Sequence, residues 1–185
     1  MERPLPTEHI PYYEKYISLV PEDDVLGVLA AQAQEIRALA AAVSEEQGGY
    51  RYAPGKWSVR EVFGHLADVE RILAYRAFSI ARGERRPLNG FEPDEYAVAA
   101  EADRSTLPDL GDEFASLRQG NVAMFRRLSD AAWRRIGTAD GNPISARALA
   151  FIMAGHVRHH QRSLHEQYGL GRLPAGGWRG EPGSC

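Results

Sequence analysis

The sequence predicts an all-α protein, a four-helix bundle in which a long connection separates the second and third helices. Four long segments repeat their apolar residues at intervals of three and four, the spacing of one helix face. No segment shows the alternation of a strand strongly enough to compete. The 185 residues are 44% apolar and 25% charged, which is typical of a globular protein and predicts one domain over residues 1–185.

The first predicted helix runs from about Glu22 to Val43. One face carries an apolar stripe with a single polar member: Val25, Leu29, Gln32, Ile36, Leu39 and Val43. The second helix begins after Ser58, because the letters SVRE place Glu61 where it completes a capping box. It should continue to residue 82 and end at Gly83, since glycine favours the left-handed conformation that closes a helix.

The connection between the second and third helices covers residues 85–108, with one short helix predicted near 93–100. The third helix is predicted over about 109–128. Its expected inward stripe also has one polar member: Leu110, Phe114, Leu117, Asn121, Met124 and Leu128. The fourth helix should begin with Asn142 as N-cap and Pro143 in the first turn, and stop at Gly169. The core is expected over about 12–168, with a Gly/Pro-rich tail over 169–185.

The stretch AGHVRHHQRSLHEQYG, residues 154–169, holds four of the six histidines. At 100° per residue, His160 lies about 40° from His156 on one side and His159 about 60° on the other. His165 lies about 180° away. The apolar residues of this helix are centred near the first two, so His156 and His160 should face the core, His159 its rim and His165 the solvent.

Two inward histidines one turn apart can bind one ion, because four residues rise only about 6 Å along a helix. A third ligand is expected from the second helix, where His65 in FGHLADVERI lies between apolar residues of the inward face. Three histidines with an open position are typical of a catalytic metal site, and imidazole ligands suit zinc, nickel, copper and iron alike. The alternative is that each histidine of the cluster is a core residue with its own hydrogen bond.

Four other polar residues are candidates for a role beside such an ion. Gln32 and Asn121 interrupt apolar stripes and could hydrogen-bond a bound water or substrate, or else each other or the backbone. Asp68, one turn after His65, could orient that imidazole or form a surface pair with a neighbouring arginine. His159 at the rim could carry a proton or be an ordinary surface histidine.

The composition excludes several classes of function. The formal net charge of -3 argues against nucleic acid as the main partner. Cys185 is the only cysteine, so the chain can form no internal disulfide and no cysteine-based zinc site. The sequence shows neither a secretory signal nor a run of eighteen apolar residues. We therefore expect a soluble cytoplasmic protein that does not bind membranes.

Three stretches resemble the DinB-like superfamily of bacterial proteins, and the resemblance spans residues 12–168. They are PGKWSVREVFGHLADVERILAYRAFSIARGE, PLNGFEPDEYAVAA and GNPISARALAFIMAGHVRHHQRSLHEQYG. The GHL and AGHxxHH blocks match the family at His65, His156 and His160. The resemblance implies a four-helix bundle, usually dimeric, that holds a divalent metal through these histidines.

The family includes members described as metal-dependent hydrolases, and thiol-dependent transferases and isomerases that use bacillithiol or mycothiol. The resemblance thus implies a small-molecule substrate and a metal that activates either water or a low-molecular-weight thiol. The rival hypothesis is a non-catalytic metal-binding or stress-response protein, in which a carboxylate such as Glu92 or Glu95 closes the site. For a homodimer the sequence adds the aromatic arm HIPYYEKYI and Trp178, which could cover apolar surface on a second copy.

Overall fold

A computed structural model describes residues 2–170 of the chain. Its four long helices are α2 (Val25–Ala42), α4 (Val59–Ala81), α6 (Leu107–Phe125) and α8 (Ala146–Glu166). Shorter helices are α1 (Glu14–Ile17), α3 (Glu45–Gly48), α5 (Pro93–Ala99) and α7 (Asp130–Trp133), and 3-10 turns cover Pro6–Glu8, Pro11–Tyr13 and Ala102–Arg104. The predicted tail, with Trp178 and Cys185, lies outside the described residues apart from its first two positions.

The four long helices form a bundle in which consecutive members are not all neighbours. Helix α2 packs against α6 and α8, and α4 packs against the same two helices. Helices α2 and α4 therefore lie diagonally across the bundle, and so do α6 and α8. The predicted four-helix bundle with a long connection between its second and third helices is confirmed. No helix within residues 2–170 has both the length and the apolar character needed to cross a membrane.

The ends of α4 follow the predicted pattern. The Ser58 hydroxyl accepts from the Glu61 amide at 3.2 Å, and the Glu61 carboxylate accepts from the Ser58 amide at 2.6 Å. This pair is the capping box that the letters SVRE predict. At the other end Gly83 has a φ of 88°, the left-handed conformation that glycine adopts without steric cost. Helix α4 is thus defined by local sequence at both ends.

A β-hairpin precedes the fourth long helix, and the prediction that no strand occurs is wrong at this point. Strands β1 (Ile136–Ala139) and β2 (Asn142–Ser145) pair antiparallel. Asp140 and Gly141 connect them with φ values of 52° and 70°. Positive φ at both central residues defines the tight turn that an Asp-Gly pair favours. Each strand has only four residues, too few for alternation to stand out.

The start of α8 moves accordingly. Asn142 and Pro143 belong to β2, so the prediction that they begin the fourth helix is wrong. Ser145 is the N-cap instead, and its hydroxyl accepts from the Ala148 amide at 3.0 Å. The Asn-Pro pair was a misleading helix start because proline is equally acceptable in a short edge strand.

The inward face of α6 is rotated by one residue from the predicted stripe. Leu117, Asn121, Met124 and Leu128 are only partly buried. The buried positions in this half of the helix are Arg118, Val122 and Phe125. Since a charged residue occupies one of these positions, counting apolar residues favoured the neighbouring stripe. The buried charged residue, Arg118, belongs to the hydrogen-bond network beside the candidate site.

The segment before α1 packs on the bundle through a buried ion pair. Glu8 accepts hydrogen bonds from Arg147 of α8 and, at 2.7 Å, from the Ser145 hydroxyl. Burial alone would raise the pKa of the Glu8 carboxyl, but these hydrogen bonds outweigh it and lower the pKa. The ion pair holds the N-terminal segment, and with it α1, against α8.

Candidate metal centre

Three imidazoles from two helices meet at one point of the bundle. His65 projects from α4, and His156 and His160 project from α8. The Nε2 atom of His156 lies 3.1 Å from the Nε2 of His65 and 3.1 Å from the Nε2 of His160. All three ligand atoms lie within 4.8 Å of one another. The structure thus brings together the three histidines that the sequence nominated.

These distances fit a shared cation. Zinc binds imidazole nitrogens at about 2.0–2.1 Å in tetrahedral sites, which places the nitrogens about 3.3 Å apart. Hydrogen bonding fits less well, because a neutral Nε2 carries either one proton or one lone pair. The Nε2 of His156 can therefore make one full hydrogen bond, whereas it faces two neighbours at the same distance. A cation uses the lone pairs of all three.

Burial keeps the cluster in the protonation state that a metal requires. His65 and His156 are buried and His160 is partly buried. Burial, followed by the charge of neighbouring His159, lowers the pKa of His65 from 6.5 to about 4. The pKa values of His156 and His160 are also lowered, chiefly by burial and then by nearby cationic groups. All three imidazoles are therefore neutral at pH 7, with lone pairs free to bind a cation.

Two aromatic side chains form walls of the centre, and they pack against different histidines. The Trp57 ring lies 4.5 Å from the His65 ring and is nearly parallel to that of His160 at 6.4 Å. The Tyr16 ring packs edge-on against His156 at 5.5 Å and against His159 at 5.6 Å. These rings restrict how the imidazoles can rotate.

Tyr16 reaches this position because α1 lies unusually close to α8. A side chain at Gly155 would place its Cβ 2.0 Å from the Tyr16 carbonyl oxygen. Real Cβ atoms do not come so close to another atom, so only glycine, which has no Cβ, permits this approach of the two helices. Gly155 immediately precedes His156, so the residue that admits α1 also adjoins a candidate ligand.

Gln32 and Asn121 are held by a buried ion pair. The Gln32 amide donates to the Ala154 carbonyl at 2.8 Å, and its oxygen accepts from Arg118 at 2.7 Å. The Asn121 amide donates to Glu70 at 2.8 Å. Gln32 therefore pairs with the backbone, as one alternative proposed, and also with Arg118, whereas Asn121 pairs with neither Gln32 nor the backbone but with Glu70. A role of either residue toward substrate stays a prediction.

The ion pair between Arg118 and Glu70 was missed in the sequence. Arg118 donates to both carboxylate oxygens, at 2.8 and 2.7 Å, and also approaches the Met153 carbonyl of α8 at 3.4 Å. Together with Gln32 the pair links all four long helices one turn from His156. An available signal was the charge of Arg118 four residues after Phe114, on the same helix face.

Asp68 and His159 lie beside the centre with other contacts. Asp68 forms an ion pair with Arg71 at 3.7 Å, in agreement with the alternative that it pairs with a neighbouring arginine. Partial burial raises the pKa of the Asp68 carboxyl. His159 is partly buried, and its ring contacts those of Tyr16 and His160. His165 is exposed on the outer face of α8, as predicted. Catalytic roles for Asp68 and His159 stay predictions.

The three histidines are the only protein ligands that the described residues offer to an ion at this point. Among residues 2–170 no carboxylate or cysteine joins the three histidines as a fourth protein ligand. Glu92 and Glu95, the carboxylates that could have closed the site, are exposed around the start of α5. His160 is partly exposed, so the three-histidine cluster is not completely shielded from solvent.

Known proteins agree with this architecture. The family model of the DinB superfamily matches residues 29–164. YfiT from Bacillus subtilis, described as "a probable metal-dependent hydrolase with an unusual four-helix bundle topology", superposes with a TM-score of 0.67 at 18% identity, over 92% of this chain and 95% of that one. A mycothiol-dependent maleylpyruvate isomerase superposes with a TM-score of 0.64 at 16% identity, over 83% of this chain and 63% of that one. No curated protein sequence matches significantly.

Proposed function

The chain belongs to the DinB superfamily, and on that premise we propose that it is a metal-dependent enzyme acting on a small molecule. His65, His156 and His160 hold one divalent ion, zinc or nickel. The observation that carries this proposal is the convergence of three neutral Nε2 atoms, with two separations of 3.1 Å, in a partly open site. When bound, the ion supplies Lewis acidity that lowers the pKa of a water or thiol ligand.

The surrounding residues orient the ligands and exclude bulk water. Trp57 packs on the imidazole of His65 and Tyr16 on that of His156, and these contacts restrict rotation of the rings. Hydrogen bonds to the Met153 and Ala154 carbonyls fix the α8 backbone just before His156. In this proposal, His159 at the rim carries a proton between the substrate and solvent. Three neutral imidazoles leave the ion's charge uncompensated, which favours an anionic ligand such as hydroxide or thiolate.

Two reactions are consistent with this centre. Attack by water makes the protein a hydrolase, in agreement with the description of YfiT. Attack by a low-molecular-weight thiol makes it a thiol transferase, in agreement with the mycothiol dependence of the isomerase. The exposed positions of Glu92 and Glu95 favour an enzyme over a non-catalytic metal-binding protein, which would require a closed ligand sphere.

We also propose that the protein acts as a homodimer. The N-terminal aromatic arm leaves Tyr12 57% exposed, and such a side chain is available to contact a second copy. Light scattering at working concentrations should give twice the mass of one chain. A monomeric mass would contradict the proposal without affecting the metal centre.

Metal content tests the proposed function directly. Protein purified without a histidine tag should contain about one divalent ion per chain. The variants His65→Ala and His160→Ala should each lose it, although the two residues lie on different helices. His165→Ala is the matched control, because His165 is an exposed histidine of α8. It should retain the ion.

The results separate the hypotheses. Wild-type protein that carries no metal and takes up none on titration would overturn the three-histidine site and the enzyme assignment with it. If metal is present, binding titrations with thiols and hydrolysis assays on esters and amides distinguish the two reactions.

A further inference from the structure

The chain has two lysines among its 22 basic residues, and both lie next to a wall of the metal centre. Lys15 precedes Tyr16, which packs on His156 and His159. Lys56 precedes Trp57, which packs on His65. Both lysines are exposed. Their contacts with aromatic rings differ, however, and those of Lys15 are the closer.

Lys15 is held by aromatic faces rather than by a carboxylate. Its Nζ lies 3.9 Å from the centre of the Tyr12 ring and 4.9 Å from that of Tyr16. Cation–π contacts of this kind position an ammonium group and leave its charge unneutralised. Over residues 2–170 no carboxylate forms an ion pair with Lys15. The ammonium group is therefore available to an anion from solution.

The arginines on the neighbouring turns of α8 differ in this respect. Arg158 forms a two-bonded ion pair with Glu22, with both distances 2.7 Å. Arg162 donates to Glu166 at 2.8 Å. Their charges are largely offset by carboxylates of the protein, so that Lys15 contributes the uncompensated positive charge on this side of the centre.

Lys56 is also exposed, but its Nζ lies over one ring only, that of Tyr52, at 5.9 Å. Lys15 contacts two rings at shorter distances, and one of them, that of Tyr16, packs on His156. The two lysines are thus a natural pair for comparison, since they have the same charge and are both exposed but differ in how closely aromatic rings hold them.

We propose that Lys15 binds an anionic group of the substrate, a carboxylate or a phosphate, while the reacting end of the substrate lies at the three-histidine centre. This inference rests on the proposed function and adds a substrate class to it. The ammonium group is a compact point charge on a flexible stem, suited to anions of different shape. The substrate is accordingly an anion and not a neutral ester or amide.

The probes are 3-mercaptopropionate and its neutral amide, which carry the same thiol and differ in one charged group. Each is titrated calorimetrically at pH 7 into protein loaded with one equivalent of zinc. The measured quantity is the ratio of the two dissociation constants, which expresses the preference for the anion. The zinc ion itself attracts carboxylates, so a preference for the anion in wild-type protein alone would not identify Lys15 as its cause. The role of Lys15 is decided by how the ratio changes from wild type to each variant.

Lys15→Gln should reduce the preference for the anion about threefold to fivefold, the magnitude expected for one solvent-accessible ion pair. Lys15→Arg should keep most of it. Lys56→Gln, the matched control, should leave the ratio unchanged. A ratio that Lys15→Gln does not alter, or that Lys56→Gln reduces equally, would overturn the inference.

The same titrations separate this inference from the function on which it rests. If Lys15→Gln still binds the neutral amide as tightly as wild type, the metal centre is intact and only anion recognition is affected. If neither thiol binds to zinc-loaded wild-type protein, both this inference and the thiol reaction are wrong. If the protein does not retain zinc, the proposed function fails together with the inference.

Discussion

The guanidinium of Arg118 forms a two-bonded ion pair with the carboxylate of Glu70, and each side chain is only 1% exposed. A pair buried so completely stabilises a fold only while both partners are present, since either charge alone would be left in a medium that solvates it poorly. This pair joins α4 to α6, and Gln32 and the α8 carbonyls extend it to the other two long helices.

Glu70→Gln should therefore lower the free energy of unfolding by about 3–5 kcal/mol, because it leaves the Arg118 charge uncompensated. Chemical denaturation of the metal-free protein measures the change. Glu113→Gln is the matched control, since Glu113 pairs with Arg71 between the same two helices but at the surface. Its cost should be at most about 1 kcal/mol. Equal effects of the two substitutions would contradict the argument.

Gly155→Ala should destabilise the protein and displace α1. The added Cβ would lie 2.0 Å from the Tyr16 carbonyl oxygen, and the backbone must move to relieve the overlap. Overpacking of this kind typically costs about 1–3 kcal/mol. Gly120→Ala is the control, because nothing lies within 4 Å of the position its Cβ would take in α6. That change should stabilise the helix by about 0.5–1 kcal/mol. Thermal unfolding of both variants distinguishes the outcomes.

The stability of the metal-free protein should fall as the pH is lowered from about 6.5 to about 4. The folded chain lowers the pKa of His65 from 6.5 to about 4, so within this window the unfolded chain binds the proton more readily. Unfolding then takes up protons, and stability decreases by up to about 1.4 kcal/mol per pH unit for one such group. His65→Gln should have a shallower pH dependence, measured by denaturation at a series of pH values. Identical slopes would mean that His65 is not responsible.

Metal binding should quench tryptophan fluorescence through Trp57. Its ring lies 4.5 Å from the His65 ring, so a paramagnetic ion such as Co²⁺ in the centre would be within a few ångströms. Trp57→Phe should abolish most of the quenching. Trp133→Phe serves as the control, because Trp133 is buried against Phe125 in the apolar core. Quenching that survives Trp57→Phe would place the ion elsewhere.

Those features that depend on local sequence were predictable. The capping box of Ser58 and Glu61 and the glycine at 83 fixed the ends of α4. The convergence of His156 and His160 followed from their spacing of four residues, and His65 was singled out by its place on an apolar face. Helical geometry determines each of these within one or two turns, without knowledge of the tertiary packing.

What escaped prediction depends on contacts distant in sequence. Arg118 occupies a core position only because Glu70 lies opposite on another helix, so apolar periodicity alone assigned the wrong stripe to α6. The diagonal placement of α2 and α4 leaves no trace in the amphipathic pattern, since each helix buries one face in either arrangement. The hairpin at Asp140 and Gly141 could have been found, because an Asp-Gly pair is a strong turn signal.

The two helices that supply the candidate ligands are far apart in the order of synthesis. His65 and His156 are separated by 91 positions. At about 5–20 residues per second, a ribosome needs about 5 to 20 seconds to travel from one to the other. During that interval the nascent chain presents His65 alone, which cannot retain an ion by itself. Binding of the proposed ion must therefore wait until α8, which carries the other two histidines, has left the exit tunnel.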